Sequence, residues 1–225
     1  MPVDRKLLIR AGITLGAISL ISGGVLAGRA VLGEREQPGK PTPSPSGPAG
    51  LKDYQNFIDQ AAGVAIAYPR QWQRFEHPDG RAKVPLLAGP GENDFLLIRE
   101  CKLPVEVPAE GVSGLKEGFD AIINRTTPNV LASKQIVVNN LAGWHYLYTF
   151  YDAKLKAEGA NSHYFLVDKD VVVQMVFQVI PREEFDKFAK TFDQVAVTFR
   201  TIKPRTGVLF PCSEQSPEPS PPPSP

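Results

Sequence analysis

Three histidines are the residues of this sequence best suited to binding a metal or transferring a proton. His77, His145 and His163 are far apart in the chain, and none stands in a HExxH or comparable ligand spacing. His145 and His163 fall on two predicted strands and could meet in space as a metal pair. Zinc, however, takes three or four protein ligands, and no cluster in the sequence supplies them. We therefore expect structural histidines, with no metal and no cofactor.

Other side chains that can act as nucleophiles, acids or calcium ligands occur in patterns that favour turns and caps. Gly111-Val-Ser113-Gly114 lacks the Gly-x-Ser-x-Gly spacing of a nucleophile elbow, so Ser113 is predicted to cap a helix. Glu92-Asn93-Asp94 is too short a run for the six or more oxygens that calcium takes, and it is predicted to be a turn. Asp168 and Asp170 flank a predicted hairpin tip as solvated charges. The sequence thus predicts no catalytic residue.

Aromatic residues recur with a period of two in one segment, which predicts that they share one face of a strand. The four residues of this face are Trp144, Tyr146, Tyr148 and Phe150. The simplest interpretation is a core beneath a helix. The alternative is that a tryptophan or tyrosine of the aromatic set, which also includes Trp72, Phe75 and Tyr151, lines a groove for a ligand or partner.

These residues lie in one predicted folded domain, residues 51–210. Alternating apolar patterns bounded by turn residues predict strands at 64–68, 83–88, 95–101, 129–138, 142–151, 162–168 and 171–180. Pro85 places the second of these strands at an edge or end of a sheet. The turns Asn139-Asn140 and Asp168-Lys169-Asp170 join consecutive strands, so the sheet is expected to be largely antiparallel.

Two helices are predicted to cover the sheet. One spans 114–125, and the other begins at Pro181. The second carries an apolar stripe at helical spacing, made of Phe185, Phe188, Phe192, Val195 and Phe199. In the strand at 171–180, the odd-numbered residues are expected to face a core and the even-numbered ones to be half exposed. The predicted class is α+β.

Residues 1–33 are predicted to be a targeting segment. Arg5, Lys6 and Arg10 precede an uncharged run at 11–28, whose 18 residues nearly reach the ~20 that span a bilayer. Two interpretations stay open. The segment is an uncleaved anchor in the cytoplasmic membrane, with the rest of the chain outside, or it is a cleaved signal peptide that ends near Val25-Leu26-Ala27.

Proline-rich stretches flank the domain. Residues 34–50 hold five prolines and are predicted to be an extended linker, and residues 211–225 hold seven and are predicted to be a disordered tail. The 225-residue chain has 25 Lys and Arg against 24 Asp and Glu, for a net charge of +1. A chain this close to neutral lacks the basic surface of a nucleic-acid-binding protein.

The two cysteines, Cys101 and Cys212, are predicted to form one disulfide. An oxidising compartment favours pairing, and two cysteines allow only one intramolecular bond. Cys212 follows the apolar run Val208-Leu209-Phe210, and a bond to Cys101 would pin that run against the domain. The alternative is a buried free Cys101 and an exposed Cys212.

The segment Gly63-Val64-Ala65-Ile66-Ala67-Tyr68-Pro69-Arg70-Gln71-Trp72 resembles the opening signature of the PsbP-like (Mog1/PsbP) superfamily, in which a strand ends in a Tyr-Pro-x-x-Trp-type turn. The closing hairpin, Pro181 and final helix agree in order, so the resemblance covers about 60–202. Members anchored in actinobacterial envelopes are similar in their proline-rich flanks. The resemblance implies an α/β/α sandwich around a largely antiparallel sheet and no single function.

The sequence as a whole favours a non-catalytic binding or scaffold protein of the cell envelope. The chain would sit in the cell membrane as a single-pass protein with an extracytoplasmic domain, or be secreted. Its partner would be an unknown envelope protein or ligand, with no nucleic acid. An envelope hydrolase is the alternative, and a photosystem II accessory subunit is the second alternative.

Overall fold

The computed structural model describes residues 52–75, 85–126 and 128–212. The predicted anchor, the linker and His77 lie outside the described residues, as does the proline-rich tail beyond Cys212. Among the described residues, no helix has the length and apolarity needed to cross a membrane.

A seven-stranded antiparallel sheet forms the centre of the domain. Its spatial order is β3 (Gln73–Arg74), β4 (Leu86–Gly89), β5 (Phe95–Lys102), β9 (Val171–Val179), β8 (Ala157–Asp168), β7 (Leu141–Asp152) and β6 (Asn129–Val138). The predicted strand near 83–88 is β4, which lies one strand in from the edge, next to the two-residue β3. The other predicted strands of this sheet are present within a few residues of their expected bounds.

The predicted turns are formed where the sequence places them. Asn139 and Asn140 join β6 to β7 with φ of 45° and 67°, the left-handed region that asparagine tolerates better than most residues. Asn139 also donates two hydrogen bonds from Nδ2, to Val197 O at 2.8 Å and Phe199 O at 2.7 Å. The turn therefore holds the end of the second helix as well as two strands.

A second, three-stranded sheet lies beside the first. It consists of β1 (Tyr54–Asp59), β2 (Val64–Pro69) and β10 (Arg200–Thr201), all antiparallel. Of these three strands, the sequence predicts only β2. Its residues form a recognisable apolar run, and all six are buried in the structure. β1 is mostly exposed or half-buried, so its pattern is weak.

The first helix, α1, spans Lys116–Ile123 and is preceded by a 3-10 helix at Ala109–Leu115. The prediction that Ser113 caps this helix is wrong. Ser113 lies inside the 3-10 helix, and the N-cap is Leu115, which has helical backbone angles and makes no side-chain cap hydrogen bond. One helical turn continues directly into the other, so no extended residue is available to act as a cap.

The second helix, α2, spans Phe185–Ala196 and follows a 3-10 turn at Arg182–Glu184 whose N-cap is Pro181. Its apolar stripe faces the sheet as predicted. Phe192 and Val195 are fully buried, and Phe185 and Phe188 pack at the margin of the same core.

The two helices cover opposite faces of the large sheet, which gives two cores. α2 and the small sheet cover the face of Val171, Val173 and Met175. α1 covers part of the other face, where Val172 belongs to the core beneath it and Gln174 is also buried. The expected half exposure of that face therefore holds only for Val176 and Gln178.

Candidate functional site

Cys101 and Cys212 form the predicted disulfide, with Cα atoms 4.8 Å apart. Cys101 lies in β5 and is buried, so it offers a rigid attachment point. The bond fixes the end of the described chain against the sheet. The segment from residue 202 to residue 212, which we call the strap, is the part of the chain that it fastens.

The backbone of the strap is hydrogen-bonded at several points along its length. Lys102 N donates to Phe210 O at 2.8 Å, next to the disulfide. Farther back, Ile202 N donates to Gly63 O and Gly207 N to Ala61 O, both at 2.8 Å. The strap thus connects the β1–β2 turn to the end of β5.

Arg205 is the main side-chain attachment of the strap. Its Nη2 lies 3.4 Å from Asp168 Oδ2 and 3.7 Å from Glu100 Oε1, and its Nε donates to Ala62 O at 3.0 Å. Gly63 makes room for it, because a Cβ at Gly63 would lie 2.2 Å from Arg205 Cγ. Gly63 also has φ of +71°, which glycine adopts without strain.

Burial dominates the protonation of Glu100. Desolvation raises its pKa to about 7, while the guanidinium of Arg205 acts in the opposite direction. The carboxyl is therefore partly protonated near neutral pH, and its pairing with Arg205 changes with pH.

A pocket of about 760 Å³ lies between the strap and the β8–β9 turn. This strap pocket is lined by Lys102, the turn residues Asp168, Lys169, Asp170 and Val171, and the strap residues Lys203, Pro204, Arg205, Gly207, Val208 and Leu209. Its volume is in the range of sites that hold small molecules.

The charged groups of the strap pocket are arranged mostly in pairs. Asp168 Oδ1 lies 3.6 Å from Lys203 Nζ, and Asp170 Oδ2 lies 3.4 Å from Lys102 Nζ. The sequence anticipates Asp168 and Asp170 at a hairpin tip, but Asp168 is largely buried by the strap instead of being freely solvated. Cys212 and the apolar run at 208–210 are the signals of the strap in the sequence, since the other partners of the strap are distant in the chain.

The histidines of β7 and β8 do not come together. His145 lies on the α2 side, where its Nε2 is 2.8 Å from Ser162 Oγ and its ring is 4.4 Å from that of Tyr164. His163 lies on the α1 side and stacks on Phe165. Burial lowers the pKa of His145 to about 4 and that of His163 to about 3, so both rings are neutral at physiological pH. Within the described ranges, no three His, Cys, Asp or Glu residues are grouped to hold a metal.

The aromatic face of β7 forms core beneath α1, as the simpler interpretation predicts. Tyr146 Oη donates to Asp120 Oδ1 at 2.7 Å, and Trp144 Nε1 donates to Val112 O at 3.2 Å. Desolvation, with the Asp120 hydrogen bond, raises the pKa of Tyr146. The rings of Tyr146 and Trp144 therefore pack in this core, and their polar atoms are hydrogen-bonded to the helical segment above them.

A buried polar network continues this face beyond α1. Asn161 Nδ2 donates to Tyr148 Oη at 3.1 Å, and Tyr148 Oη lies 3.4 Å from His163 Nδ1. Burial raises the pKa of Tyr148 to about 12. Burial thus keeps both titratable groups neutral at neutral pH. The sequence shows its members but not their association, since each comes from a different position along β7 or β8.

Asp94 takes part in the predicted turn at 92–94, where its Oδ1 accepts a hydrogen bond from Ile180 N at 3.1 Å. This hydrogen bond connects the β4–β5 turn to the end of β9. The turn prediction for this acidic run is confirmed.

Comparison with known proteins identifies the fold. No protein-family model matches the sequence, and no curated protein matches it. The solution structure of the cyanobacterial PsbP protein CyanoP from Synechocystis sp. PCC 6803 is similar, with a TM-score of 0.52 and 13% identity over 70% of this chain and 98% of that one. LpqN, a Mycobacterium tuberculosis protein involved in cell envelope biogenesis, gives a TM-score of 0.48 and 10% identity over 67% of this chain and 91% of that one. The likeness to CyanoP, together with the order of helices and strands, shows that the described domain has a PsbP-like fold.

Proposed function

We propose that this protein is a non-catalytic, extracytoplasmic binding protein of the cell envelope, held at the membrane by its N-terminal segment. The Cys101–Cys212 disulfide supports the compartment, because such bonds persist in oxidising surroundings and are rare in the cytosol. The uncharged run at 11–28 and the proline-rich linker at 34–50 supply a tether of the expected kind.

The strap pocket is the observation that carries the proposal. It is a concave surface whose one wall, the strap, is held by a disulfide, by backbone hydrogen bonds and by Arg205. A wall fastened in this way is ordered before a partner arrives, so little conformational entropy is lost on binding. We therefore propose that the ligand or partner of this protein binds in the strap pocket.

The chemistry of the pocket supports binding over hydrolysis. Its two carboxylates, Asp168 and Asp170, each lie 3.4–3.6 Å from a cation, so each is engaged in an ion pair within the pocket lining and is not left free to act on a substrate. His145 on β7 is half-buried and His163 on β8 is buried, and neither lines the pocket. The likeness to CyanoP concerns the fold and does not extend the proposal to a photosystem.

Two experiments test the proposal. A reporter that is active only outside the cytoplasm, fused after residue 225, should be active, and activity of a cytoplasmic reporter at that position would contradict the compartment. For the site, a photo-crosslinking amino acid at Val208, which is 72% exposed beside the pocket, should capture an envelope component in cells.

The matched control is the same crosslinker at Tyr151, which is 67% exposed near the β7–β8 turn, at the opposite end of the sheet. The two positions have similar exposure, so a difference in captured products reports the pocket and not general accessibility. Identical products from both positions, or none from Val208, would overturn the assignment of the site.

A further inference from the structure

The residues that line the strap pocket are of two chemical kinds, which we call its cationic wall and its apolar wall, and the strap contributes to both. One is cationic, with Lys102, Lys169 and Lys203 at the rim and Arg205 behind them. The other is apolar and is made of Val171 with the strap residues Pro204, Val208 and Leu209. A ligand that fills both walls needs a charged part and an apolar part.

The pocket lining holds two more positive than negative charges, because four cations are opposed only by Asp168 and Asp170. The whole chain has a net charge of +1, so this positive charge is concentrated locally. Glu100 lies behind Arg205 and does not line the pocket. The field in the pocket therefore favours an anion.

Lys169 is the cation best placed to receive that anion. It occupies the tip of the β8–β9 turn with φ of +60°, and its carbonyl oxygen accepts a hydrogen bond from Val107 N at 3.0 Å. Its backbone is thus fixed, while its side chain is exposed. In residues 52–75, 85–126 and 128–212, no carboxylate lies within ion-pair distance of Lys169.

The apolar wall continues outward to the protein surface. Val208 is 72% exposed and Phe210 is 49% exposed, both on the strap. Large apolar side chains that remain exposed beside a pocket are typical of interaction surfaces. They extend the apolar wall from the pocket toward whatever lies outside it.

We propose that the strap pocket binds the headgroup of one anionic lipid, with the phosphate against the lysines and the first part of the acyl chains against Val208 and Phe210. This inference rests on the proposed function, which tethers the domain beside a membrane. A free phosphate would leave a pocket of about 760 Å³ mostly empty and its apolar wall in contact with water. A neutral lipid would bring no negative charge to Lys169, whereas Lys102 and Lys203 already lie beside Asp170 and Asp168.

The test uses the full-length chain reconstituted in phosphatidylcholine vesicles that contain a small fraction of a photoactivatable lipid. One arm carries photoactivatable phosphatidic acid, and the other carries photoactivatable phosphatidylcholine with identical acyl chains. Mass spectrometry of the labelled peptides locates the site. We expect labelling around Val208 and Phe210, several-fold stronger with phosphatidic acid, and little effect of added inorganic phosphate.

The charge contribution is tested by Lys169→Asn, because asparagine also tolerates a positive φ. This change should lower labelling by phosphatidic acid about three- to fivefold, the size expected for one exposed ion pair. Lys156→Asn is the matched control, since Lys156 is an exposed lysine with φ of +52° in the β7–β8 turn. It should leave the labelling unchanged.

A second pair of variants tests the apolar wall without touching the turn. Val208→Asp should abolish labelling at the strap, whereas Val137→Asp, at a 70% exposed position on β6, should not. Equal labelling by the two lipids, strong competition by inorganic phosphate, or equal effects of a variant and its control would overturn the inference.

The proposed function can fail separately from this inference. If the vesicle labelling fails while the Val208 crosslinker captures an envelope protein in cells, the pocket binds a protein and the lipid assignment is wrong. If the labelling succeeds while the reporter after residue 225 is active only in the cytoplasm, the lipid chemistry stands and the envelope function is wrong.

Discussion

Asn139 and Asn140 are neighbours in one turn, with similar backbone angles, and of the two only Asn139 has a side-chain hydrogen bond to another element of the described chain. Its amide donates to Val197 O and Phe199 O. We expect Asn139→Gly to lower the free energy of unfolding by about 1–2 kcal/mol, because glycine suits the turn but removes two hydrogen bonds. Urea denaturation measures the change.

Asn140→Gly is the control, because it changes the same side chain at the adjacent left-handed position, φ 67°. Its effect should stay within a few tenths of a kcal/mol. Equal losses in the two variants would mean that the asparagine amide contributes nothing and that only the turn geometry matters.

His163 gives a prediction about pH. Burial, with the nearby charge of Arg99, lowers its pKa to about 3, whereas the unfolded chain keeps a value near 6.5. Below about pH 6.5 the unfolded state therefore binds more protons, and the free energy of unfolding falls as the pH falls toward about 3. His163→Gln cannot take up this proton, so its stability should decline less over the same range.

Glu100 changes the free energy of unfolding in the opposite direction over an overlapping pH range. Its folded pKa is raised to about 7 from the ordinary glutamate value of 4.5, so its contribution to stability is fully present below about pH 4.5 and is lost as the pH rises through about 7. The measurement must therefore be the difference between wild type and His163→Gln in urea at pH 7, 6, 5 and 4. Parallel profiles for the two proteins would show that His163 is not buried in its neutral form.

Helix α2 is attached to the sheet chiefly through Phe192. The ring is 1% exposed and lies 4.9 Å from Phe177 and 6.2 Å from Trp72, centroid to centroid. Phe192→Ala should leave a cavity and lower the free energy of unfolding by about 3–5 kcal/mol. Chemical denaturation followed by circular dichroism checks this value.

Phe188 is the control within the same stripe. It stacks on Phe192 but is only half-buried at the edge of the core. Phe188→Ala should therefore lower the free energy of unfolding clearly less than Phe192→Ala does. A loss at Phe188 as large as that at Phe192 would mean that the helix packs in a different rotation from the one described.

Elements with strong local patterns are predictable from this sequence, and elements defined by distant contacts are not. The β6–β7 and β8–β9 hairpins have their turn residues and alternation in one continuous stretch. The prediction that Ser113 caps α1 is wrong because the sequence does not show that a 3-10 helix runs directly into α1. β10 has two residues, and only its pairing with β2 makes it a strand.

The same reasoning applies to the candidate site at the scale of the whole molecule. The cysteines, the hairpin-tip aspartates and the apolar run at 208–210 are all visible in the sequence. Their assembly into a pocket depends on Arg205 reaching Glu100, Asp168 and the β1–β2 turn. Those contacts join parts of the chain that are 37 to more than 140 residues apart, and no local pattern encodes them.

The disulfide connects this pocket to the stability of the whole domain, which gives the last prediction. Cys101 and Cys212 are 111 residues apart, and closing a loop of that length stabilises a fold by roughly 4–5 kcal/mol in the chain-entropy model, less any strain. Cys212→Ser should lower the free energy of unfolding by up to that amount. The large sheet, the small sheet and both helices should still form, because Cys212 is only partly buried against the α1 core and belongs to none of these elements.

The strap should respond more strongly than the rest of the domain to the same change. Without the bond, the strap keeps Arg205 and the backbone hydrogen bonds to residues 61 and 63, but Phe210 is held only through Lys102 N. Limited proteolysis should therefore cut Cys212→Ser near 208–210 while wild type resists, and reduced wild type should behave like the variant. Equal resistance of all three proteins, or two alkylated thiols in the unreduced native protein, would show that the disulfide does not fasten the strap and that Arg205 and the backbone hydrogen bonds hold the pocket wall.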